Sequence, residues 1–251
     1  MRPAAEQNDS ATTEPQLLDN ATTLAQYLKT VSNKDIQTTM KVSSKLSDET
    51  QLLLSSWSND PSDQRAAIDS FLGDIYSGLQ VATLSDQDRQ FAQQHLRILS
   101  GLYGILRPLD GIYPYRCEMG YRLSDPQFTN LYNYWGTSIV DTLPNKETII
   151  DLSAVEYGKT VTNYVELSRV VTPRFLTISP KTGEPAFVVV HAKIARGAFA
   201  HWIIKNSIQD VSRLHQFSEI GYRYNSKLST DAVPVFVCSE FKGLGLSVRL
   251  T

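Results

Sequence analysis

The sequence predicts an α+β fold in a single compact domain, with a helical N-terminal half around a mixed sheet built mainly from the C-terminal half. In the first part of the chain, apolar residues recur at three- and four-residue steps, as they do in amphipathic helices. From about residue 148 onward, short segments rich in valine and threonine follow, and such segments are typical of strands. No linker rich in glycine, proline or serine divides the 251 residues, so one domain is expected over 15–251, after a loose segment at 1–14.

The helices expected in the N-terminal half are marked by apolar spacing and by start signals. Residues 85–88 resemble a capping box, and the helix that they open is expected to run to Leu99. Gly101 and Gly104 then break the helical pattern. The other helices of this half are expected at 17–28, 32–40, 48–57, 63–72 and 126–140.

The C-terminal half is expected to supply the strands. They are predicted at 148–152, 160–171, 174–178, 222–224 and 233–237. A turn at 181–184 is expected to join 175–178 and 187–190 in a hairpin, and a helix over 194–205 follows it.

Composition and charge exclude several classes of protein. The net charge of −2 rules out a chain that is positively charged over its whole surface. No apolar run is long enough to cross a membrane, and the N-terminus lacks the apolar core of a signal peptide. Two cysteines, Cys117 and Cys238, are too few for a secreted disulfide scaffold. We therefore expect a cytoplasmic protein that does not contact membranes.

Residues 95–122 are the most informative segment. Gly101 and Gly104 resemble the hairpin of a helix–hairpin–helix element, in which bare backbone N–H groups approach a DNA phosphate. The usual hairpin has one apolar residue between its glycines, whereas two stand here, and an ordinary helix-ending turn is an equal alternative. Interleaved arginines and tyrosines bind phosphates and stack on bases in some proteins. Tyrosine-rich packing inside the protein also explains this pattern of residues. The DNA contacts predicted in this segment are Arg97, Ser100, Gly101, Tyr103, Gly104, Arg107 and Arg116.

A second basic segment lies in the C-terminal part, where residues 191–251 carry a net charge of +4. Lys193 and Arg196 are three residues apart, so they share a face if a helix starts there, and helix starts attract anions. We predict that both contact DNA and that this segment and the hairpin line one groove, which Lys205, Arg213 and Arg223 extend. Two solvated charges without a ligand are the alternative.

Several longer motifs are specific in order and spacing. They lie at 71–80, 91–110, 114–116 with 118–120, 131–132 with 135–136, Leu152 with 156–157, 192–193 with 195–197, and 221–222. Through these motifs the chain resembles the YaaA family of peroxide-stress proteins from about residue 15 to 224. The resemblance implies a cytoplasmic α+β protein that binds double-stranded or structured DNA beside a positive cleft. It also implies protection against hydrogen peroxide by keeping unincorporated iron low.

The chain departs from the family pattern at three places. Family members begin with an apolar strand followed by Ser-Pro-Ala-Lys-Thr, whereas Ala5 stands near the lysine position here and no apolar strand precedes it. Either the strand is missing or the gene start is misassigned. Ile194 stands where many members have a second lysine, so the cleft is expected to be less positive. The residues after Asn225 fit the family poorly.

An enzyme is the alternative function. It would act on a nucleotide-like or phosphorylated small molecule, an anionic ligand bound in the same basic cleft. The side chains that could converge there are Glu118, Asp151, Glu156, Lys159, Lys193 and Arg196. The sequence contains no cofactor fingerprint, and its histidine spacing is not that of a metal site, so neither a cofactor nor a metal is expected. Cys117 beside Arg116 is either a peroxide-sensing thiol of lowered pKa or an unreactive buried one.

Overall fold

The computed structural model describes Met1 and residues 13–245, and it confirms the α+β class. The chain divides into two compact units. Unit 1 consists of Met1–Phe71, Gln93–Pro144 and Ala154–Tyr164, and unit 2 consists of Leu72–Ala92, Asn145–Ser153 and Val165–Thr251. That the whole chain is one domain stays a prediction.

The described residues form α-helices and short strands, and three helices precede the first strand. The α-helices are α1 (Leu18–Thr30), α2 (Asn33–Met40), α3 (Ser44–Ser55), α4 (Ala67–Ser70), α5 (Asp74–Leu79), α6 (Asp86–His95), α7 (Leu131–Trp135), α8 (Val155–Thr162) and α9 (Val189–Lys205). The strands are β1 (Arg65–Ala66), β2 (Ile98–Ser100), β3 (Gly104–Leu106), β4 (Gly111–Ile112), β5 (Ile149–Ile150), β6 (Val170–Val171), β7 (Arg174–Ile178), β8 (Pro185–Ala186), β9 (Tyr222–Tyr224) and β10 (Val235–Cys238). None of the helices in the described part is long and apolar enough to cross a membrane.

In unit 1, helices α1, α2 and α3 pack together as their apolar spacing predicts. The buried face of α1 carries Leu24 and Leu28, and that of α2 carries Ile36 and Met40. Ser32 caps α2 by accepting a hydrogen bond from the Asp35 backbone N–H, which satisfies a donor that the first helical turn leaves free. These local signals explain why α1 and α2 were predictable.

The core of unit 2 is a mixed four-stranded sheet with the order β8-β7-β10-β9. Strand β10 runs parallel to β7 and antiparallel to β9, while β8 pairs antiparallel to β7. Helix α9 packs on β7 and buries Phe199, which contacts the rings of Phe175, Phe217 and Phe236. The prediction of a mixed sheet from the C-terminal half is confirmed.

Helices α5 and α9 of unit 2 approach closely because two glycines face each other. A Cβ on Gly197 would lie 1.8 Å from the Ile75 carbonyl oxygen, and a Cβ on Gly78 would lie 2.0 Å from the Ile194 carbonyl oxygen. No side chain larger than hydrogen fits at either place without moving backbone. This contact fixes the position of α9, which carries two of the predicted site residues.

Several predicted elements are wrong in type or in extent. Helix α6 ends at His95, and 98–100 is a strand that pairs antiparallel with 104–106, so the helix predicted to reach Leu99 is wrong. Most of the strand predicted at 160–171 is helical or irregular, and most of the helices predicted at 63–72 and 126–140 lies outside regular α-helix. Helix α9 begins at Val189, five residues before its predicted start, so β8 at 185–186 replaces the predicted hairpin partner at 187–190.

Near the start of the chain, Thr13 pairs with the segment between β3 and β4. It forms a parallel bridge with Asp110, and its carbonyl oxygen accepts a hydrogen bond from the Gly111 N–H at 2.9 Å. The predicted loose segment otherwise lies outside the described residues, apart from Met1 and Glu14. The family departure at Ala5 also lies outside them.

Candidate functional site

The predicted DNA-binding hairpin is a buried β-turn of unit 1. Residues 101–103 connect β2 to β3, and Ser100, Gly101, Tyr103 and Gly104 are all buried. A Cβ on Gly101 would lie 2.3 Å from the Cys117 carbonyl oxygen. Gly104 has a φ of +68°, and a Cβ there would lie 2.9 Å from the Trp135 ring. Packing within unit 1 therefore explains both glycines, while a DNA contact at this turn stays a prediction.

The hydroxyl groups of this turn are satisfied internally. The Tyr103 hydroxyl accepts hydrogen bonds from the Trp57 indole N–H at 2.9 Å and the Tyr113 backbone N–H at 3.0 Å. Burial raises the pKa of Tyr103 to about 12. Ser100 Oγ lies 2.5 Å from the Tyr115 hydroxyl and accepts a hydrogen bond from the Tyr103 N–H. These contacts agree with the alternative of tyrosine-rich packing.

Arg97 and Arg107, which flank the turn, are bonded to neighbouring parts of unit 1. Arg107 donates from Nε and Nη2 to one oxygen of the buried Asp110 carboxylate, at 3.0 and 2.8 Å. Arg97 Nη1 donates to three carbonyl oxygens at the end of α6, including that of Leu96 at 2.8 Å. Both guanidinium groups therefore serve local structure, and their contact with phosphate stays a prediction.

Arg116 lies among acidic and phenolic groups of unit 1. Arg116 and Glu118 both interact electrostatically with the Tyr121 hydroxyl. The Nε–H of Arg116 is buried and has no acceptor among the described residues. A DNA contact by Arg116 stays a prediction, although the neighbouring carboxylate makes this surface less attractive to phosphate.

Two glutamates come together around Tyr157, and we name Arg116, Glu118, Glu156 and Tyr157 the unit 1 polar cluster. The Tyr157 hydroxyl donates a hydrogen bond to Glu118 Oε2, and it also interacts electrostatically with Glu156. Burial, followed by the Glu118 carboxylate, strongly raises the pKa of Tyr157, so this phenol keeps its proton. The cluster joins a fixed phenol donor to two carboxylate acceptors.

Glu156 is held in the cluster by backbone. Its Oε1 accepts a 2.7 Å hydrogen bond from the N–H of Gly120. A Cβ at Gly120 would lie 2.9 Å from that oxygen, so glycine permits the approach. Sequence reasoning included both glutamates in a wider acid–base group but did not select Tyr157 or Gly120. The available signal was that all four residues lie in the motifs at 118–120 and 156–157.

The remaining members of that predicted group are Lys159 in unit 1 and Asp151, Lys193 and Arg196 in unit 2. Lys159 lies three residues after Glu156 on α8 of unit 1, and within the described part of the chain no hydrogen bond or ion pair joins it to the other members. Asp151, Lys193 and Arg196 belong to unit 2, where the Asp151 carboxylate interacts electrostatically with Arg196. The expected groove shared by the two basic stretches joins residues of different units and stays a prediction.

Lys193 and Arg196 lie on one face of α9, as their spacing predicts, but inside the helix rather than at its start. Lys193 is exposed and Arg196 is half-buried. Neither side chain makes a hydrogen bond or ion pair with any residue that the structure describes. Burial lowers the pKa of the Arg196 guanidinium, while Asp151 acts in the opposite direction. The helix therefore presents two neighbouring positive charges that no described carboxylate pairs with directly.

Two of the three cations expected to extend this surface already have hydrogen-bond or ion-pair partners. Lys205 forms a 2.8 Å ion pair with Asp88, and Arg223 Nη1 donates to the carbonyl oxygens of Ser218 and Tyr222. Arg213 is exposed. The positive surface on α9 is thus concentrated at Lys193 and Arg196.

Neither cysteine has the properties of a peroxide sensor. Burial raises the pKa of the Cys117 thiol to about 12, with a smaller contribution from Glu118, so the hypothesis of a lowered pKa is wrong. Cys238 is also buried, and burial raises its pKa. Over residues 13–245, no three His, Cys, Asp or Glu side chains gather in a way that could hold a metal ion.

Comparison with known proteins supplies the family. A family model described as peroxide stress protein YaaA matches residues 1–228. The chain belongs to the YaaA peroxide-stress family. A UPF0246 protein of Salinispora tropica is 55% identical over 249 residues, which covers 99% of this chain and 94% of the relative. The YaaA model ends near the point where the family resemblance weakens, whereas this relative matches almost the whole chain.

More distant YaaA relatives also match most of the chain. A UPF0246 protein of Shewanella piezotolerans is 39% identical over 246 residues, covering 95% of this chain and 94% of the relative. A UPF0246 protein of a Marinomonas species is 38% identical over 232 residues, covering 90% of this chain and 88% of the relative. A role in peroxide stress is therefore shown at the level of the YaaA family.

Proposed function

We propose that this peroxide-stress protein binds double-stranded or structured DNA, and that Lys193 and Arg196 contact its backbone phosphates. The observation that carries the proposal is the pair of positive side chains on one face of α9, neither of which has a bonded partner among the described residues. The family resemblance supports the same partner. Contacts of this kind recognise DNA by charge and shape rather than by base sequence.

The environment of the two cations favours phosphate over water. Arg196 is half-buried, so it is already partly dehydrated, and a guanidinium can donate two parallel hydrogen bonds to one phosphate. Lys193 is exposed and adds a mobile point charge one turn away. Arg97 and Arg107 differ, because a phosphate would have to compete with the bonds that they already make.

We further propose, on the family resemblance, that the protein protects cells by keeping unincorporated iron low. Cells that lack the protein are expected to hold more chelatable iron after peroxide treatment than cells that carry it. Electron paramagnetic resonance of chelated iron in whole cells measures this quantity. Equal iron levels in both strains would contradict the iron proposal and leave the DNA proposal standing.

Fluorescence anisotropy with a labelled duplex tests the DNA proposal. In low salt, the double variant Lys193→Gln, Arg196→Gln is expected to bind at least about tenfold more weakly than the native chain. The control variant Lys181→Gln, Lys227→Gln removes the same charge from exposed positions of unit 2 and is expected to bind nearly as tightly. Equal losses in both variants would mean that net charge, not the α9 face, determines binding. Absence of salt-sensitive binding by the native chain would overturn the proposal.

A second candidate function is favoured by one observation, the unit 1 polar cluster. Its ordered phenol and carboxylates resemble the acid–base groups of an enzyme acting on a nucleotide-like or phosphorylated small molecule. A thermal-shift screen with nucleotides tests this candidate. Strong stabilisation by a small ligand supports it, whereas DNA binding together with no response to any nucleotide contradicts it.

A further inference from the structure

We propose that Phe187 is a stacking surface for an unpaired base of the DNA whose phosphates Lys193 and Arg196 contact. The inference rests on the proposed DNA binding and adds the kind of DNA that this surface suits, a strand with exposed bases. Four residues of unit 2 carry it, and we name them the α9 patch: Phe187, Val189, Lys193 and Arg196.

Two large apolar side chains of the α9 patch face solvent. Phe187 lies two residues before α9 and is 57% exposed, and Val189, the first residue of α9, is 54% exposed. A residue in the position of Phe187 often packs as a hydrophobic staple against the fourth residue of the helix, here Ala192. Ala192 is buried, yet more than half of Phe187 stays exposed, so a staple does not account for the exposed part of the ring.

The geometry of α9 places these apolar side chains beside the two cations. At about 3.6 residues per turn, Val189 falls between Lys193 and Arg196 around the helix axis. The two residues from Phe187 to Val189 span at most about 7 Å, so Phe187 lies within a few nucleotides' length of the cations. An aromatic ring, an aliphatic side chain and two positive charges therefore follow one another at the start of α9.

Charge complementarity identifies a nucleic acid strand as the occupant of the α9 patch. The patch has two positive charges and no carboxylate among its members. The start of α9 adds positive potential, and its N-cap residue, Val188, offers no capping side chain. Proteins that hold single strands combine cations for the backbone with aromatic rings for the bases. A second copy docked on the same patch by a twofold axis would instead bring four positive charges together.

An unpaired base suits Phe187 better than a base in a duplex does. Bases in a duplex cover each other's faces, so a side chain reaches those faces only by prising a base step apart. An unpaired base has free faces and stacks on an aromatic ring whatever its sequence. The proposed phosphate contacts of Lys193 and Arg196 do not depend on this choice, because duplexes and single strands share the same backbone.

Fluorescence anisotropy with two single-stranded oligonucleotides tests the stacking. One is a thymidine strand, and the other is an abasic strand of the same length, which keeps the phosphates and lacks the bases. In low salt, the native chain is expected to bind the thymidine strand at least about fivefold more tightly. Equal affinities, or no binding to either strand, would overturn the stacking proposal. Salt-sensitive binding of a duplex in the same assay would then leave the proposed function standing, and its absence would overturn both.

Variants connect the preference for the thymidine strand to Phe187. Phe187→Ala is expected to bind both strands equally, whereas Phe187→Trp keeps an aromatic face and is expected to keep the preference. Leu228→Ala is the matched control, because Leu228 is 49% exposed and follows β9, at the opposite edge of the sheet from β8. A Phe187→Ala chain with native circular dichroism and an unchanged preference would contradict the assignment.

The α9 double variant Lys193→Gln, Arg196→Gln separates the stacking proposal from the proposed function. It is expected to bind both strands more weakly by a similar factor, so that the preference for the thymidine strand persists. Loss of the preference in this variant would show that the cations, not the ring, distinguish the two strands, and would contradict the stacking proposal.

Sedimentation velocity tests a second copy as the occupant of the patch. The native chain and Phe187→Ala are expected to sediment alike, because the ring meets DNA rather than another chain. A native dimer that dissociates in Phe187→Ala would show that a second copy covers the ring, and would overturn the proposal.

Discussion

Gly120 donates its backbone N–H to Glu156 Oε1 at 2.7 Å, across 36 residues of sequence. The contact depends on the absence of a side chain, because a Cβ at Gly120 would lie 2.9 Å from that oxygen. The relationship links the motif at 118–120 to the start of α8. It orients one of the two carboxylates in the unit 1 polar cluster.

Gly120→Ala is therefore expected to displace the Glu156 carboxylate without unfolding unit 1. Gly120 is exposed, and the group that would collide is the end of a flexible side chain, so the melting temperature should change little. If the unit 1 polar cluster serves the second candidate function, any thermal stabilisation by a nucleotide is expected to shrink, because the charge-assisted hydrogen bond that orients Glu156 is lost. Thermal-shift assays with and without nucleotide measure this change, and a variant with the native response would show that the bond is not needed.

Arg107→Gln is expected to reduce stability far more than it reduces DNA affinity. It removes the guanidinium that pairs with the buried Asp110 carboxylate, and breaking such pairs costs about 3 kcal/mol or more. The hydrogen bonds to Asp110 from Thr13 and from the residue 107 N–H remain, so the lower end of that range applies. Urea unfolding measures the free energy. A stable variant that has lost DNA binding would instead establish Arg107 as a phosphate contact.

Gly197→Ala is expected to destabilise unit 2. Its Cβ would lie 1.8 Å from the Ile75 carbonyl oxygen, so α5 and α9 must move apart, and overpacking of this kind costs about 1–3 kcal/mol or more. Lys193→Ala changes an exposed position of the same helix and is expected to stay within about 0.5 kcal/mol of the native chain. Chemical unfolding of both variants tests the comparison. Equal stabilities would contradict the close helix contact.

The Asp88–Lys205 ion pair predicts a pH dependence. The Lys205 ammonium, followed by Ser85, lowers the pKa of Asp88 from 3.8 to about 2. Because the folded-state pKa is lower than the unfolded one, the pair stabilises the fold above about pH 4, and this stabilisation disappears as the pH falls towards 2. The difference in unfolding free energy between the native chain and Asp88→Asn should therefore shrink from pH 7 to pH 3. If this difference in unfolding free energy stays constant or grows on acidification, the ion pair does not have the predicted pH dependence.

Cys117 is expected to resist both peroxide and alkylation in the folded protein. The thiolate is the reactive form, and burial raises the pKa of this thiol to about 12. Mass spectrometry after brief treatment with hydrogen peroxide should find Cys117 unmodified, whereas the urea-unfolded chain should react with iodoacetamide at once. Rapid stoichiometric oxidation of the folded chain would contradict the buried position.

Local signals in the sequence were sufficient for some elements. The apolar spacing of α1, the Ser32 cap of α2 and the capping box before α6 all involve residues within one or two turns of each other. The strand at 98–100 was missed because Leu96, Leu99 and Leu102 fit helical spacing. Pairing of β2 with β3 determines the outcome there, and tertiary contacts of this kind override local preference.

The residues of the candidate sites also divide into those that local spacing brings together and those that only the fold brings together. The three-residue step between Lys193 and Arg196 predicts that they share a face of a helix. The valines at 188–190 favour a strand, so the predicted start of α9 lies too late in the sequence. The contact between Glu118 and Tyr157 joins residues 39 positions apart. No periodicity or spacing connects such residues, so only the folded arrangement of unit 1 reveals the pair.

The salt dependence of duplex binding tests the central claim most directly. In a plot of the logarithm of the association constant against the logarithm of salt concentration, each phosphate contact contributes a slope of about −0.9. We predict that the double variant Lys193→Gln, Arg196→Gln has a slope shallower than that of the native chain by about 2. Parallel lines for the two proteins would contradict the assignment of these side chains as phosphate contacts.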